Sequence, residues 1–210
     1  MILLMRSFFP LFYSHIDLAH HYWAQVIQKG DTVIDATCGN GKDTLVLAKL
    51  ALEETKGHVI GLDIQKEALL ATEELLRNHL PTTWIRRITL LEQSHTVFPL
   101  DGQNDPIRLV VYNLGYRPLG AKRLTTMTAT TLISVEKALQ LLMPGGVVSI
   151  TCYPGHEEGG REELALETWL NSLNPQIFNI CQHRWLNRHL SPSLILIQKL
   201  SNPVGHAADN

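Results

Sequence analysis

The amino-acid sequence predicts an α/β fold, a doubly wound and Rossmann-like sheet, mostly parallel, with helices on both faces. Three observations carry that expectation. Short apolar runs rich in β-branched residues alternate with helical stretches along most of the chain, the pattern of strands joined by crossover helices. The first run, Thr32 to Ile34, passes through Asp35 into a turn holding Gly39 and Gly41, then leaves as an apolar helix, Leu45 to Leu52. The second, Gly57 to Ile64, ends on another acid, Asp63. Strands that end in an acid and a glycine-rich turn form nucleotide pockets outside their carboxyl ends, because glycine lets the backbone approach the ligand.

The remaining elements follow in order. Ahead of the first strand, Ile16 to Gln28 places apolar residues at Ile16, Ala19, Trp23, Val26 and Ile27, a helical spacing that Gly30 ends. Ala68 to His79 is an amphipathic helix with Pro81 behind it, and Ile88 to Leu91 is a third strand leaving through Gln93, Ser94 and His95. Asp101 to Pro106 is a polar turn before the fourth strand, Ile107 to Tyr112, which runs into Asn113-Leu-Gly-Tyr116. Thr125 to Leu142 is a helix stopped by Pro144-Gly-Gly146, and Val147 to Thr151 is a fifth strand leaving through Tyr153-Pro-Gly-His156. Arg161 to Leu173 is the next helix, and Ile177 to Trp185 and Leu194 to Lys199 are two last strands around a loop at Asn187 to Ser193. With no internal repeat and no interdomain linker, the chain reads as one domain over residues 1–210. Residues 1–15 are expected to pack on it as an N-terminal segment and 201–210 to form a polar, mobile tail.

Composition narrows the function classes. A chain of 210 residues, 45% apolar and 18% charged, is an ordinary globular domain with a substantial core and no signature of disorder. A formal net charge of −2 argues against a general nucleic-acid coat while leaving room for a local basic patch. Cys38, Cys152 and Cys181 are odd in number and widely spaced, so neither a disulfide framework nor a structural metal site is expected, and a cytoplasmic location is the simplest. The apolar N-terminus, Met1 to Tyr13, lacks a basic stretch before its apolar run and a small-x-small site after it, and is too short to span a bilayer. Met5 is an alternative start.

The spacing Asp35-x-x-x-Gly39-x-Gly41 lacks the third glycine of dinucleotide enzymes and the Gly-Lys-Ser/Thr of a P-loop. An acid at the strand end suits a cationic ligand such as the amino group of S-adenosylmethionine (SAM), the pattern of class I methyltransferases. Asp63 then stands where a carboxylate accepts hydrogen bonds from a ribose diol, although an Asp here also suits a helix cap. Asn40, Asp43 and Thr44 line the turn as ligand contacts or plain caps. Ser94 and His95 leave the third strand where an adenine ring would lie, His95 as pocket wall rather than base, with Gln93 the weaker alternative.

Asn113-Leu-Gly-Tyr116 ends the fourth strand, which in this architecture faces the methyl group. Enzymes that methylate amino groups place there an Asn or Asp whose oxygen, with a neighbouring carbonyl, accepts the amine N–H bonds. An aromatic ring such as Tyr116 stacks on the base, a contact worth roughly 1–3 kcal/mol. On the rim beyond the fifth strand, Tyr153 or His156 could take a proton or position the substrate; a structured loop ahead of a helix starting at Gly160 is the plainer reading. Arg117, Lys122, Arg123, Arg184 and Arg188 form local basic groups that could bind phosphates or stay solvated.

With these residues in place the chain resembles the bacterial and plant-organellar methyltransferases once labelled putative rRNA methylases and more recently assigned as tRNA 5-aminomethyl-(2-thio)uridine methyltransferases. The resemblance rests on Asp35-Ala-Thr-Cys-Gly-Asn-Gly-Lys-Asp-Thr44, Asp63-Ile-Gln65, Ser94-His95, Asn113-Leu-Gly-Tyr-Arg-Pro118, Thr125-Thr126, Thr130-Thr131, Pro144-Gly-Gly146, Tyr153-Pro-Gly-His156 with Gly159 and Glu162, and Asn187 with Pro192. It runs from about Leu18 to Lys199, with Cys38 and Arg117 as small departures. It implies a class I methyltransferase sheet of seven strands, the last antiparallel. It also implies SAM as cofactor and N-methylation of the 5-aminomethyl group of wobble (2-thio)uridine in tRNA, giving the 5-methylaminomethyl product. The anticodon stem-loop would be the partner, with no metal and no membrane involved, and a homodimer is an open option. Implied site residues are Asp35, Thr37, Gly39, Asn40, Gly41, Asp43, Thr44, Asp63, Gln65, Ser94, His95 and Asn113 for SAM. Asn113, Tyr116, Tyr153 and His156 would serve the reaction, and Leu114, Gly115, Arg117, Lys122, Arg123, Arg184, Asn187 and Arg188 the RNA. Rival readings are methylation of an rRNA base or a small-molecule amine, and a non-catalytic SAM-binding module, which would not need an amine cradle at Asn113. An NAD-linked oxidoreductase is disfavoured by the missing third glycine.

Overall fold

The structure, a computed structural model, describes residues 11–99, 106–115, 128–188 and 190–201. Tyr116, Arg117, Lys122 and Arg123 lie outside the described residues, as do most of the N-terminal segment and the tail. Seven strands form one sheet in the order β3-β2-β1-β4-β5-β7-β6. They are β1 (Thr32–Asp35), β2 (His58–Asp63), β3 (Ile88–Glu92), β4 (Ile107–Leu114), β5 (Leu142–Cys152), β6 (Phe178–His183) and β7 (Ser193–Lys199). β1 to β5 pair in parallel and β7 runs antiparallel to both β5 and β6. This is the doubly wound sheet expected from sequence. The chain leaves β1 toward β2 and β3, then returns to lay β4 on the other side of β1, and that reversal opens a crevice at the carboxyl ends of β1 and β4.

Strand alternation sorts the core into two layers. Val33, Val59, Leu109 and Val111 face α1 (His15–Val26), α2 (Lys42–Ala51) and α3 (Lys66–His79). Ile34, Ile60, Val110 and Tyr112 face α5 (Thr128–Leu141) and α6 (Glu157–Leu170). Both faces of β1 are therefore dry, which is why its sequence reads as a continuous apolar run. A short helix, α4 (Thr82–Ile85), follows Pro81 and was not expected from sequence.

α1 matters most for the site. Ser14 Oγ accepts the Asp17 N–H at 3.2 Å and starts the helix. Its buried face carries Ala19 and Trp23, and the indole N–H donates to Ser149 Oγ in the middle of β5 at 2.9 Å. Its first residue, His15, meets Tyr153 just beyond the end of β5. α1 thus descends from the carboxyl rim of the sheet, and its N-terminal turn forms part of that rim.

Two expectations shift. Pro144-Gly-Gly146 does not end a helix ahead of a strand; β5 already includes it, and the pairing steps from Ile107–Leu142 to Leu109–Val147 across an irregularity. A bulge absorbs a proline that has no N–H to give to the ladder. α6 begins at Glu157, not at Gly160 or Arg161, because His156 caps it. No helix among the described residues is long and apolar enough to cross a membrane.

Candidate functional site

The turn after β1 is hooked to both neighbouring strands. Ala36 N donates to Val111 O on β4 and Cys38 N to Leu62 O on β2. Gly39 and Gly41 both have positive φ, +53° and +75°. They lie there for different reasons. A Cβ on Gly41 would sit 2.8 Å from Thr72 Cα on α3, whereas a Cβ on Gly39 would meet no atom closer than Thr37 O at 4.0 Å. Gly41 lets the turn press on α3; Gly39 keeps the outer side of the turn open to a ligand. Cys38, a departure from the family pattern, fills the hollow left by Gly61: a Cβ there would lie 2.5 Å from its sulfur.

Asp35 is wholly buried and serves the turn from below. Its oxygens accept the Thr37 N–H at 3.2 Å and the Thr44 hydroxyl at 2.6 Å. Burial pushes its carboxyl up to about 7, with Asp43 and Asp63 adding to the rise while the Thr44 and Thr37 hydrogen bonds oppose it. A cation bound over the turn favours the ionised form. SAM affinity is therefore expected to rise as pH rises through 7, by about tenfold between pH 6 and 8, and to level off above that. Calorimetric titration across this range checks it; Asp35→Asn should bind weakly with a flat profile.

At the end of β2, Asp63 Oδ2 accepts the Gly39 N–H and Oδ1 the Gln65 N–H, both at 2.9 Å. The carboxylate is thereby fixed with lone pairs to spare for a diol. Gln65 is the N-terminal neighbour of α3, and Asn40 is exposed at the turn. Ser94 turns inward on its own loop, bonding Thr96, while Gln93 bonds Val97 O. His95 is buried edge-on to Tyr112, and its Nδ1 meets no partner among the described residues. Burial lowers its pKa, partly opposed by Asp63, so the ring is neutral. An open face at Gly39, a fixed Asp63 and an unsatisfied His95 nitrogen are a set that a nucleoside with a ribose diol and a heteroaromatic base would satisfy.

The other half of the crevice holds a network that the sequence did not reveal. Thr37 Oγ1 accepts the Asn113 N–H at 2.8 Å and joins the β1 turn to the end of β4. Asp43, in the first turn of α2, accepts Asn113 Nδ2 at 2.7 Å on one oxygen and His20 Nε2 at 2.7 Å on the other. A carboxylate only accepts, so it dictates which end of the Asn113 amide faces it: nitrogen toward Asp43, oxygen away from it. Asp43 was expected at the cofactor; its visible partners are the acceptor-side Asn113 and His20 of α1. A helical spacing hid His20 among ordinary surface positions, and the cluster His15, His20 and His21 ahead of the first strand was the signal available.

Tyr153 lies over Gly115, where a Cβ would meet its ring at 3.6 Å. Burial pushes its phenol up to about 12, with the Asp43 and Cys152 charges adding, so it stays protonated and can donate but not take a proton. His156 Nδ1 accepts the Gly159 N–H at 3.0 Å and caps α6. Gly159 is required there, since a Cβ would fall 2.2 Å from Tyr153 O. Of the two proton acceptors expected from sequence, one keeps its proton and the other holds a helix. Leu114 is buried at the end of β4. The loop after β6 comes beside this rim, with Leu190 O 3.8 Å from a Cβ on Gly155. On it, Arg188 stacks 4.6 Å over the Trp185 ring, and Arg184, Asn187 and Arg188 are exposed.

A sequence model of a family described as "Putative rRNA methylase" matches residues 59–199. A protein of Arabidopsis thaliana named "tRNA (mnm(5)s(2)U34)-methyltransferase, chloroplastic" is 40% identical over 191 residues, which cover 89% of this chain and 69% of that one. Among solved structures, a putative rRNA methylase from Clostridium thermocellum is 33% identical with a TM-score of 0.82, covering 90% of this chain and 99% of that chain. SMU.1697c of Streptococcus mutans, a putative methyltransferase in complex with SAH, is 32% identical with a TM-score of 0.78 over 90% and 100% of the two chains.

Proposed function

The chain belongs to the family described as "Putative rRNA methylase" and is a SAM-dependent methyltransferase, and from that premise we propose that it methylates the 5-aminomethyl group of wobble (2-thio)uridine in tRNA. The observation that carries the choice of acceptor is the orientation of Asn113. With its nitrogen held by Asp43, its oxygen is left to accept an N–H bond from an amine presented at the end of β4. The name of the Arabidopsis relative supports the same substrate.

In this reading, SAM supplies an electrophilic methyl group. The chain's residues do the rest. Gly39 and Gly41 shape the turn beneath the donor, Asp63 with Gln65 beside it holds the ribose, His95 and Ser94 border the base, and Asp35 and Thr44 keep the turn in register. Asn113 and the Leu114 carbonyl hold the amine so that its lone pair lies in line with the methyl–sulfur bond, and such positioning is worth several kcal/mol of the barrier. Tyr153 bounds the acceptor across Gly115. Arg184, Asn187 and Arg188, with Trp185, offer a cationic and aromatic surface beside the rim for an anticodon stem-loop.

Nucleoside mass spectrometry tests the reading. The purified chain with SAM should convert 5-aminomethyluridine in a tRNA transcript to a product heavier by one methylene. Cells lacking the protein should accumulate the aminomethyl precursor. An unchanged nucleoside profile in both experiments would exclude this acceptor.

A further inference from the structure

We propose that His15, in the first turn of α1, takes the proton that the acceptor ammonium must lose before methyl transfer. The inference rests on the amine-methylation reading above and extends it. An alkyl ammonium holds its proton to a pKa of about 10 and has no lone pair to offer until that proton is gone. A base standing where β4 and β5 end would remove it at neutral pH. Tyr153 stays protonated. Asp43 is occupied on both oxygens by His20 and Asn113, and the His20 Nε2 it engages is a donor. His156 Nδ1 accepts the Gly159 N–H, so its own buried Nε2 carries the ring hydrogen and has no lone pair to offer.

His15 differs from all of these. Its ring stands edge-on to Tyr153, with centroids 5.5 Å apart and planes at 89°. Its Nε2 is closed off from solvent and meets no hydrogen-bond partner among the described residues. A buried polar atom without a partner is destabilising, and such atoms are retained where a ligand or a reaction uses them. Ser14 caps the helix at this point, and Trp23, locked to Ser149 farther down, fixes how α1 lies over the sheet. The charged and titratable groups acting on His15 are Asp17 on its own helix and Asp43 on α2, with the neutral Tyr153 after β5. Burial outweighs the two carboxylates and lowers its pKa, so the ring is neutral at physiological pH and free to accept.

With its hydrogen on Nδ1, His15 accepts through Nε2 one proton from the R–CH2–NH3+ group, leaving a neutral amine and an imidazolium that the Asp17 and Asp43 carboxylates stabilise. The amine lone pair forms the N–C bond while the C–S electron pair returns to sulfur, giving a secondary methylammonium and S-adenosylhomocysteine. Once the product has left, His15 gives its proton up to water entering the site, so each turnover releases one proton.

The test is His15→Phe, which keeps an aromatic ring against Tyr153 and removes the base, assayed on a tRNA transcript carrying 5-aminomethyluridine. At pH 7 kcat/KM is expected to fall about 100-fold. The pH profile separates chemistry from structure. With SAM saturating, wild type should be flat from about pH 7 to 9, because ammonium and neutral imidazole are both in place. The variant depends on amine already deprotonated in solution and should climb about tenfold per pH unit, converging on wild type near pH 9. A variant profile parallel to wild type, or kcat/KM within threefold at pH 7, would overturn the inference while leaving the acceptor assignment standing. No methylation of this RNA by wild type would overturn both. If His15→Phe also loses SAM binding, the same profile is read in His15→Gln, and the slope decides.

Discussion

Asn113→Ala is expected to lower methyl transfer by on the order of 10²- to 10³-fold while leaving SAM affinity within a few-fold of wild type. The side chain's visible work is on the acceptor side. Its backbone N–H is held by Thr37 and its amide nitrogen by Asp43, so its position is fixed from two directions and its oxygen is the end turned away from Asp43. Truncation to alanine removes that oxygen without disturbing Asp35, Asp63 or the glycine turn, which is why the loss should fall on kcat more than on donor binding. Asp43→Asn separates position from presence. An asparagine at 43 can offer either oxygen or nitrogen, so it no longer forces the Asn113 oxygen outward and no longer demands a proton from His20. A loss intermediate between wild type and Asn113→Ala should follow. Single-turnover assays with saturating SAM check both variants. If both run within threefold of wild type, Asn113 does not hold the acceptor.

The structure also indicates which parts of the site sequence can reach. β1, its glycine turn and Asp63 were legible because local chemistry forces them: a dry strand has to be apolar throughout, and positive φ at Gly39 and Gly41 selects glycine. Asn113 was legible as a strand end, but which end of its amide faces the crevice was not. That is decided by Asp43, 70 residues earlier, and by His20, which fixes Asp43 from a third element. A histidine in a glycine-rich loop reads equally as a catalytic group and as a helix cap, and the cap at His156 shows only in its hydrogen bond with Gly159. α1 was read as packing only. Its apolar spacing accounts for Ala19 and Trp23, and nothing local says that its first turn ends up on the rim beside Tyr153. Three-dimensional placement, not residue type, distinguishes His15 from a surface histidine.

The two glycines of the turn make the sharpest contrast, because replacing either by alanine should damage a different property. Gly41→Ala forces a side chain into left-handed backbone, at about 1–2 kcal/mol, and drives its Cβ to within 2.8 Å of Thr72 Cα on α3. Backbone cannot rotate away as a side-chain tip can, so overpacking adds about 1–3 kcal/mol more. The melting temperature should drop by about 5–15 °C, at 2–4 °C per kcal/mol for a domain of this size. Gly39→Ala carries a similar backbone penalty but no clash within the chain, its nearest atom being Thr37 O at 4.0 Å. Its stability loss should stay near 1–2 kcal/mol. The space its methyl enters is the side of the turn open to ligand, next to the N–H that Asp63 holds. SAM affinity should therefore fall by about 5- to 150-fold, as a steric cost of about 1–3 kcal/mol implies. Thermal melts with and without SAM, together with calorimetric affinities, read the two variants side by side. A stable Gly41→Ala would show that α3 yields to the added methyl, and a Gly39→Ala with wild-type SAM affinity would place the donor somewhere other than over this turn.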